Sequence, residues 1–369
     1  MTGARSVAGG IATSNLNNLY ALRDLVSEKG MGLEIFSYLE REKDRPTFLH
    51  PGISFTGFGK RKWVLAAALL LRLSQRPVFI FDHVRLALPL FPFAKFRLIK
   101  VVIFAHGSEA WKRMSRTSRW SFESASLCLA NSQFTMKRMR ERIAQFNGVA
   151  CPLGLSPDFD SNGKLEDSSY NKLELEAADQ RMRSLGKRVL LLVARMDSRE
   201  GQKGHRALIK ILPELLRKFP DVQLVFPGPG DDRENLRQLA QNQGVAQAVF
   251  IPGWVSHSVL RALYQHCYAL IMPSQQEGFG LAYLEAMNYA KPCVGCFDQG
   301  AEEIIVDGET GFLIRDPNNP QELLEKVSTL LVEPELAERM GKKGFERLHQ
   351  FFTSQQYQER IKEAISKVL

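Results

Sequence analysis

The chain has 369 residues, 44% of them apolar, with five cysteines and a net charge of +9. That length suits two domains of roughly 150–200 residues; the apolar content excludes a disordered chain, and so few cysteines exclude a disulfide framework. The charge is uneven, with 23 Lys+Arg against 10 Asp+Glu in residues 1–155 (+13) and 26 against 30 in the remainder (−4). A basic half points to an anionic partner, either a phospholipid surface or a phosphorylated substrate. No nucleic-acid signature accompanies it, so no nucleic-acid partner is expected.

In chain order, "MTGARSVAGG" lacks the apolar region of a secretory signal. The run "WVLAAALLL" (63–71) is too short to span a bilayer. Together these give a cytoplasmic expectation, with a peripheral place on the inner face of the membrane. Strands are expected at "LEIFSYL", "VFIFD", "KVVIFAH", "SLCLANS" and "VACPL", and helices around 14–28, 61–75, 118–126 and 133–145. "SPDFDSNGKLEDSSYNK" (156–172) is polar and acidic and reads as a linker. From Val189 onward, buried parallel strands ("VLLLVAR", "VQLVFPG", "AVFIPG", "YALIMPS", "PCVGC") alternate with helical stretches. That alternation means a doubly wound parallel sheet. Two helices close the chain, roughly 334–349 and 353–368. The domains expected are 1–157, a linker with a lead-in helix over 158–186, and 187–352, with the helix of 353–369 packing back on the first. Cys293 and Cys296 form a CxxC without a helix start or second cysteine pair, which reads as two small residues on a buried strand.

"EGFGLAYLEA" (277–286) carries an acid at each end. A helix is expected to begin near Phe279, so the N–H groups of Gly278, Phe279, Gly280 and Leu281 are helix-start donors suited to an anion. Glu277 precedes that start, and Glu285 lies roughly 9 Å along the helix. The two acids are placed to grip opposite ends of a nucleotide sugar, with the phosphates between; incidental glutamates on a surface helix remain the plain alternative. "ARMDSREGQKGH" puts Arg195 at a strand's carboxyl end and Lys203 before the next helix, two cations matching a pyrophosphate. Gly228 in "FPGPGD" suits close ligand approach, and Trp254 and Val255 in "IPGWV" are placed to read a base edge.

From about 188 to 332 these motifs resemble the retaining glycosyltransferases of the GT4 family (group 1). The family's E-x7-E signature is Glu277 to Glu285, its Arg/Lys pair is Arg195 and Lys203, and "EEIIVDGETGFLI" (302–314) resembles its next stretch. "VAGGIA" (7–12) is similar to the glycine loop that closes on the donor diphosphate, making Gly9 and Gly10 candidates. "FAHGSE" (104–109) resembles the strand-end motif that places His106 near the donor sugar. The family's first strand normally precedes the glycine loop, whereas only "MTGARS" stands before it here. The resemblance implies the α/β GT-B fold, two Rossmann-like doubly wound domains facing each other across a cleft.

It also implies transfer of a sugar from a nucleotide-sugar donor to a glycan or lipid-linked acceptor, with retention and by front-side attack. The implied machinery is Arg195, Lys203 and the helix-start amides on the diphosphate, Glu277 on sugar hydroxyls, Glu285 on ribose hydroxyls, and His106 on the sugar. No cofactor or metal is expected. A sugar-nucleotide epimerase, a glycan phosphorylase and a catalytically silent donor-binding subunit are the alternatives. The basic segments "WKRMSRTSRW" (111–120) and "PLFPFAKFRLIK" (89–100) suggest docking on an anionic membrane.

Overall fold

The computed structural model describes residues 1–3, 10–50, 52–111, 114–159, 173–200 and 203–369. The chain divides into two compact units, Met1–Pro157 with Phe352–Leu369, and Asp158–Phe351. In the first unit, β3 (Val78–Phe81), β4 (Lys100–Ala105), β5 (Leu127–Ala130) and β6 (Gly148–Ala150) form a parallel sheet in that order; β1 (Glu34–Ser37) and β2 (Ser54–Gly57) pair in parallel beside it in sequence. The middle strands are apolar on both faces because helices cover both: Val102, Ile103, Cys128 and Ala130 are fully buried. The last helix, Ser354–Ser366, packs on the first, Gly10–Lys29. Tyr357 Oη donates to Asn18 Oδ1 at 2.8 Å, and Ser354 Oγ donates to Asn17 Oδ1 at 2.7 Å. The two hydroxyls and the two amide oxygens are thereby paired, as burial favours.

The second unit opens with an antiparallel hairpin, β7 (Glu174–Glu176) and β8 (Met182–Ser184). Its sheet holds β9 (Arg188–Leu191), β10 (Val222–Pro227), β11 (Val249–Gly253), β12 (Ala269–Ile271), β13 (Cys293–Cys296) and β14 (Gly311–Ile314). The strands are all parallel in the order β11-β10-β9-β12-β13-β14. That is the dinucleotide-fold order, which reverses direction between β9 and β12. A ligand of such a sheet binds beyond the carboxyl ends of the strands at that reversal. Val189, Leu190, Leu191, Leu224, Val225 and Phe226 are fully buried, each worth about 1.5–3 kcal/mol of apolar transfer. Cys293 and Cys296 sit buried on β13 as free thiols, and burial pushes the Cys296 thiol up to about 12. They are core residues.

The hairpin corrects one expectation. Residues 160–172 lie outside the described residues; over 173–186 the chain forms β7–β8 and not a lead-in helix, its turn held by Gln180 at φ 64° and by the forked Arg183–Asp179 pair at 2.6 and 2.7 Å. The reason is tertiary. β11 ends the sheet and would present open ladder groups; Ala178 N–H donates to Val249 O at 2.7 Å, and Ala177 bridges Phe250.

Candidate functional site

The β9 and β12 connections leave the sheet at its point of reversal, and they carry the strongest candidates. Lys203 ends the β9 connection just before the helix His205–Lys218; Glu277 lies beyond β12. Lys203 Nζ donates to Glu277 Oε2 at 2.9 Å, with both side chains about one-fifth exposed. Ser274 Oγ reaches the same oxygen at 3.5 Å. The Glu277 backbone is pinned on both sides. Its N–H donates to Gln299 Oε1 at 3.0 Å, and its carbonyl accepts from Gly300 N–H at 2.9 Å. A cation and an acid are thus held at the mouth of the reversal on a fixed loop.

Arg195 lies exposed on the same β9 connection, and its charge is among those that hold Asp197 below the carboxylate range, after the Arg199 hydrogen bonds. Gly228, at φ 149°, explains how that loop is placed: a Cβ there would run into the Ala194 carbonyl. The glycine therefore admits a neighbouring backbone. The two connections are then laced together, Met196 N–H to Pro229 O at 2.8 Å and Ser198 N–H to Asp231 Oδ1 at 2.8 Å. Below them Arg206 Nη2 donates to Asp232 Oδ1 at 2.8 Å, and a second bond joins Nη1 to Oδ2. His205 is buried edge-on against Phe226 at 5.1 Å, and burial lowers its imidazole to about 3, so it stays neutral.

The helix after Glu277 spans Leu281–Met287 and starts two residues later than Phe279. Gly280 is the cause: at φ 99° it is left-handed and caps the helix instead of entering it. Gly278 and Phe279 therefore belong to the loop. Glu285 is the fifth helical residue, about 6 Å along at 1.5 Å per residue, rather than 9 Å. Its carboxyl is buried, and one oxygen accepts from Tyr264 Oη at 2.6 Å. Tyr264 is itself enclosed by Phe159 (5.9 Å, edge-on) and Tyr289 (6.4 Å, stacked). Burial pushes Glu285 up to about 7 against the lowering pull of the Tyr264 bond. Glu277 and Glu285 thus have different partners and different environments.

Trp254 and Val255 follow β11, two strands from β9 and so about 10 Å from the reversal. Trp254 is 65% exposed, an open aromatic face. In the first unit, His106 directly follows β4. Its N–H donates to the Glu109 carboxylate, Gly107 N–H adds a bond at 3.3 Å, and Asn131 Nδ2 donates to His106 O at 2.6 Å. These fix the backbone, while the ring Nε2 is buried with no hydrogen-bond partner among the described residues. His83, at the end of β3, has its imidazole lowered by burial, with Glu109 and Asp82 opposing. Gly10 opens the helix Gly10–Lys29, and Gly9 lies outside the described residues.

Sequence reasoning missed Tyr264, Ser274, Gln299 and the Asp231–Ser198 contact. Gln299 and Asp231 stand at strand ends, the one available signal. Of the basic segments, Lys112 and Arg113 lie outside the described residues; Trp120 stacks on Phe91 at 5.6 Å and is 45% exposed. Among the described residues no group of three or more His, Cys, Asp or Glu is gathered as a metal would need.

Residues 176–347 match the family model described as "Glycosyl transferases group 1". The chain is 30% identical over 257 residues to a GDP-mannose-dependent alpha-(1-6)-phosphatidylinositol monomannoside mannosyltransferase of Mycolicibacterium smegmatis, covering 66% of this chain and 64% of that protein. It is 32% identical over 153 residues to an alpha-D-kanosaminyltransferase of Streptomyces kanamyceticus, covering 42% and 39%. With these relatives the match spans about two fifths to two thirds of their length. Among solved structures, Anabaena HepE in complex with UDP superposes with a TM-score of 0.75 at 17% identity, covering 99% of this chain and 98% of that one. Sucrose-phosphate synthase from Thermosynechococcus elongatus gives 0.72 at 17% identity, covering 98% and 94%. These likenesses extend over nearly the whole chain and give the fold, GT-B.

Proposed function

We propose, on the match of residues 176–347 to the family model of the group 1 glycosyltransferases, that this protein moves a sugar from a nucleotide-sugar donor to an acceptor hydroxyl with retention at the anomeric carbon. The observation that carries the reading is the Lys203–Glu277 pair at the reversal between β9 and β12. A donor diphosphate at that point meets Lys203 and Arg195, cations that stabilise the charge developing on the leaving group. Glu277 is an acceptor for sugar hydroxyls, and Glu285 for ribose hydroxyls. The bond from the anomeric carbon to the diphosphate oxygen breaks, and the acceptor oxygen bonds to that carbon on the same face. The acceptor proton passes to the departing phosphate oxygen, so no protein carboxylate is required as a nucleophile. No metal is needed where Arg and Lys neutralise the diphosphate.

The acceptor is a glycan or lipid-linked hydroxyl, as in cell-surface polysaccharide or glycolipid synthesis. Support comes from the basic first half and from the relative named for a phosphatidylinositol mannoside. The same features support a peripheral place on an anionic inner membrane face. A thermal-shift screen with UDP-, GDP- and ADP-sugars tests the donor class. At 100 times Kd the correct donor adds about 2.7 kcal/mol. No stabilisation by any nucleotide sugar contradicts the proposal, and donor consumption without any acceptor would instead favour an epimerase.

A further inference from the structure

The helix Lys62–Leu71 is apolar nearly all round, yet it packs on one side only. Leu65 and Leu69 enter the core of the first unit. On the other side Trp63, Val64, Ala67, Leu70 and Leu71 are exposed, at the i, i+1, i+4, i+7, i+8 spacing of a single helical stripe. Trp63 is 77% and Leu71 73% exposed, values unusual for such side chains. Around the stripe, residues 60–76 carry Lys60, Arg61, Lys62, Arg72 and Arg76 and no acid. Lys62 Nζ lies over the Trp63 ring at 5.1 Å. Farther along the chain, Phe96 and Leu98 repeat the pattern, exposed between Lys95, Arg97 and Lys100.

We propose that the outward face of Lys62–Leu71 is an interfacial anchor that seats this unit on an anionic lipid bilayer. It deepens the membrane reading given above, but names a different element and rests on the exposed stripe rather than on sugar transfer. Ten residues make a helix about 15 Å long, half of what crossing requires, so it lies in the plane of the headgroups. Trp63 sits at the depth tryptophan prefers, with the cations at the helix ends among the lipid phosphates. Arg72 is ion-paired with Glu34 at 2.7 Å, and charge still selects this occupant over a second copy of the chain, because a symmetric contact through the stripe would set Lys60, Arg61, Lys62 and Arg76 against the same four cations.

The test is co-sedimentation of the full chain with vesicles of phosphatidylcholine alone or with one third phosphatidylglycerol added (about 33 mol%, enough to give an anionic surface). Binding is expected to the anionic vesicles only and to weaken with salt. W63S/L71S should lower the partition coefficient by about tenfold or more, from the lost apolar burial. R61Q/K62Q should lose most of the preference for anionic lipid. If W63S/L71S folds poorly, quenching by brominated lipid decides: wild-type tryptophan emission should be quenched, and W63F should lose most of that quenching. Equal binding to both vesicles, none to either, or unchanged binding by W63S/L71S overturns the proposal. So does dimerisation in analytical ultracentrifugation that W63S/L71S abolishes. Stabilisation by a nucleotide sugar should be the same in W63S/L71S and wild type, so failure of the anchor and failure of the transferase reading are told apart.

Discussion

Glu285 holds its proton into the neutral range because it is buried beside Tyr264, and this makes it the residue whose chemistry is most open to measurement. Unfolded, it titrates near 4.5; folded, at about 7. Below the first value both states carry the proton. Between the two the unfolded chain has released it and the folded chain has not, so stability falls as pH rises through that window. E285Q should flatten this fall, read from urea midpoints at pH 5 and pH 7; an unchanged slope means another group is responsible. Nucleotide binding should divide the two glutamates. Measured at a pH above the folded Glu285 value, where the carboxylate is charged, E285A is expected to weaken a free nucleoside diphosphate by about 1.5–3 kcal/mol, the range for charged hydrogen bonds. E277A should spare that binding and reduce turnover. Equal losses in calorimetry would show that the ends are misassigned. K203A removes a preorganised cation and should lower kcat by about 10²–10³; kinetics within about threefold of wild type would take it out of the site. Glu277 and Lys203 stood out in the sequence because loop residues beyond strand ends are the chemistry-bearing positions of a parallel sheet; Glu285, inside the helix, stood out only through its spacing from Glu277. Tyr264 did not. It lies 21 residues before Glu285 and reads as one more apolar position of an amphipathic helix, until the fold stacks the two.

At the scale of elements, the site depends on two connections laced into one piece. Gly228 is one of the places where that lacing is tight, since the Ala194 carbonyl occupies the place of a Cβ. G228A should therefore cost about 1–3 kcal/mol, the usual penalty of overpacking, and should also lower turnover by displacing the Arg195 loop. G186A is the control, because a Cβ there meets only ordinary contacts with Gln223 and Asp221. Comparable loss in both variants would remove the special role of Gly228. The sequence pattern showed Gly228 as a glycine at a strand end but not what approaches it; close approach by a ligand and by a neighbouring loop leave the same residue behind. Strands β9 to β13 were readable because burial on both faces turns them into unbroken apolar runs. The β7–β8 hairpin was not, since its strands are three residues each, too short for the alternation of "LELE" to decide, and the contact of Ala177 with Phe250 on β11 is tertiary.

At the scale of the whole molecule, the alternation of elements announced parallel sheets, while the strand order emerged only with the fold. That order matters most, because it brings the carboxyl ends of β9 and β12 together and so sets Lys203 on Glu277 from 74 residues apart. The first unit was less legible: short elements such as β2 carry too few residues for a period to show. The central claim is that this reversal holds a donor whose sugar is transferred with retention. Proton NMR of the reaction with the stabilising nucleotide sugar and a hydroxyl acceptor, run beside K203A, tests it most directly. The account predicts an acceptor-dependent product whose anomeric signal has the donor's configuration, and near-silence from K203A. A product of inverted configuration, or equal turnover by K203A, would contradict it.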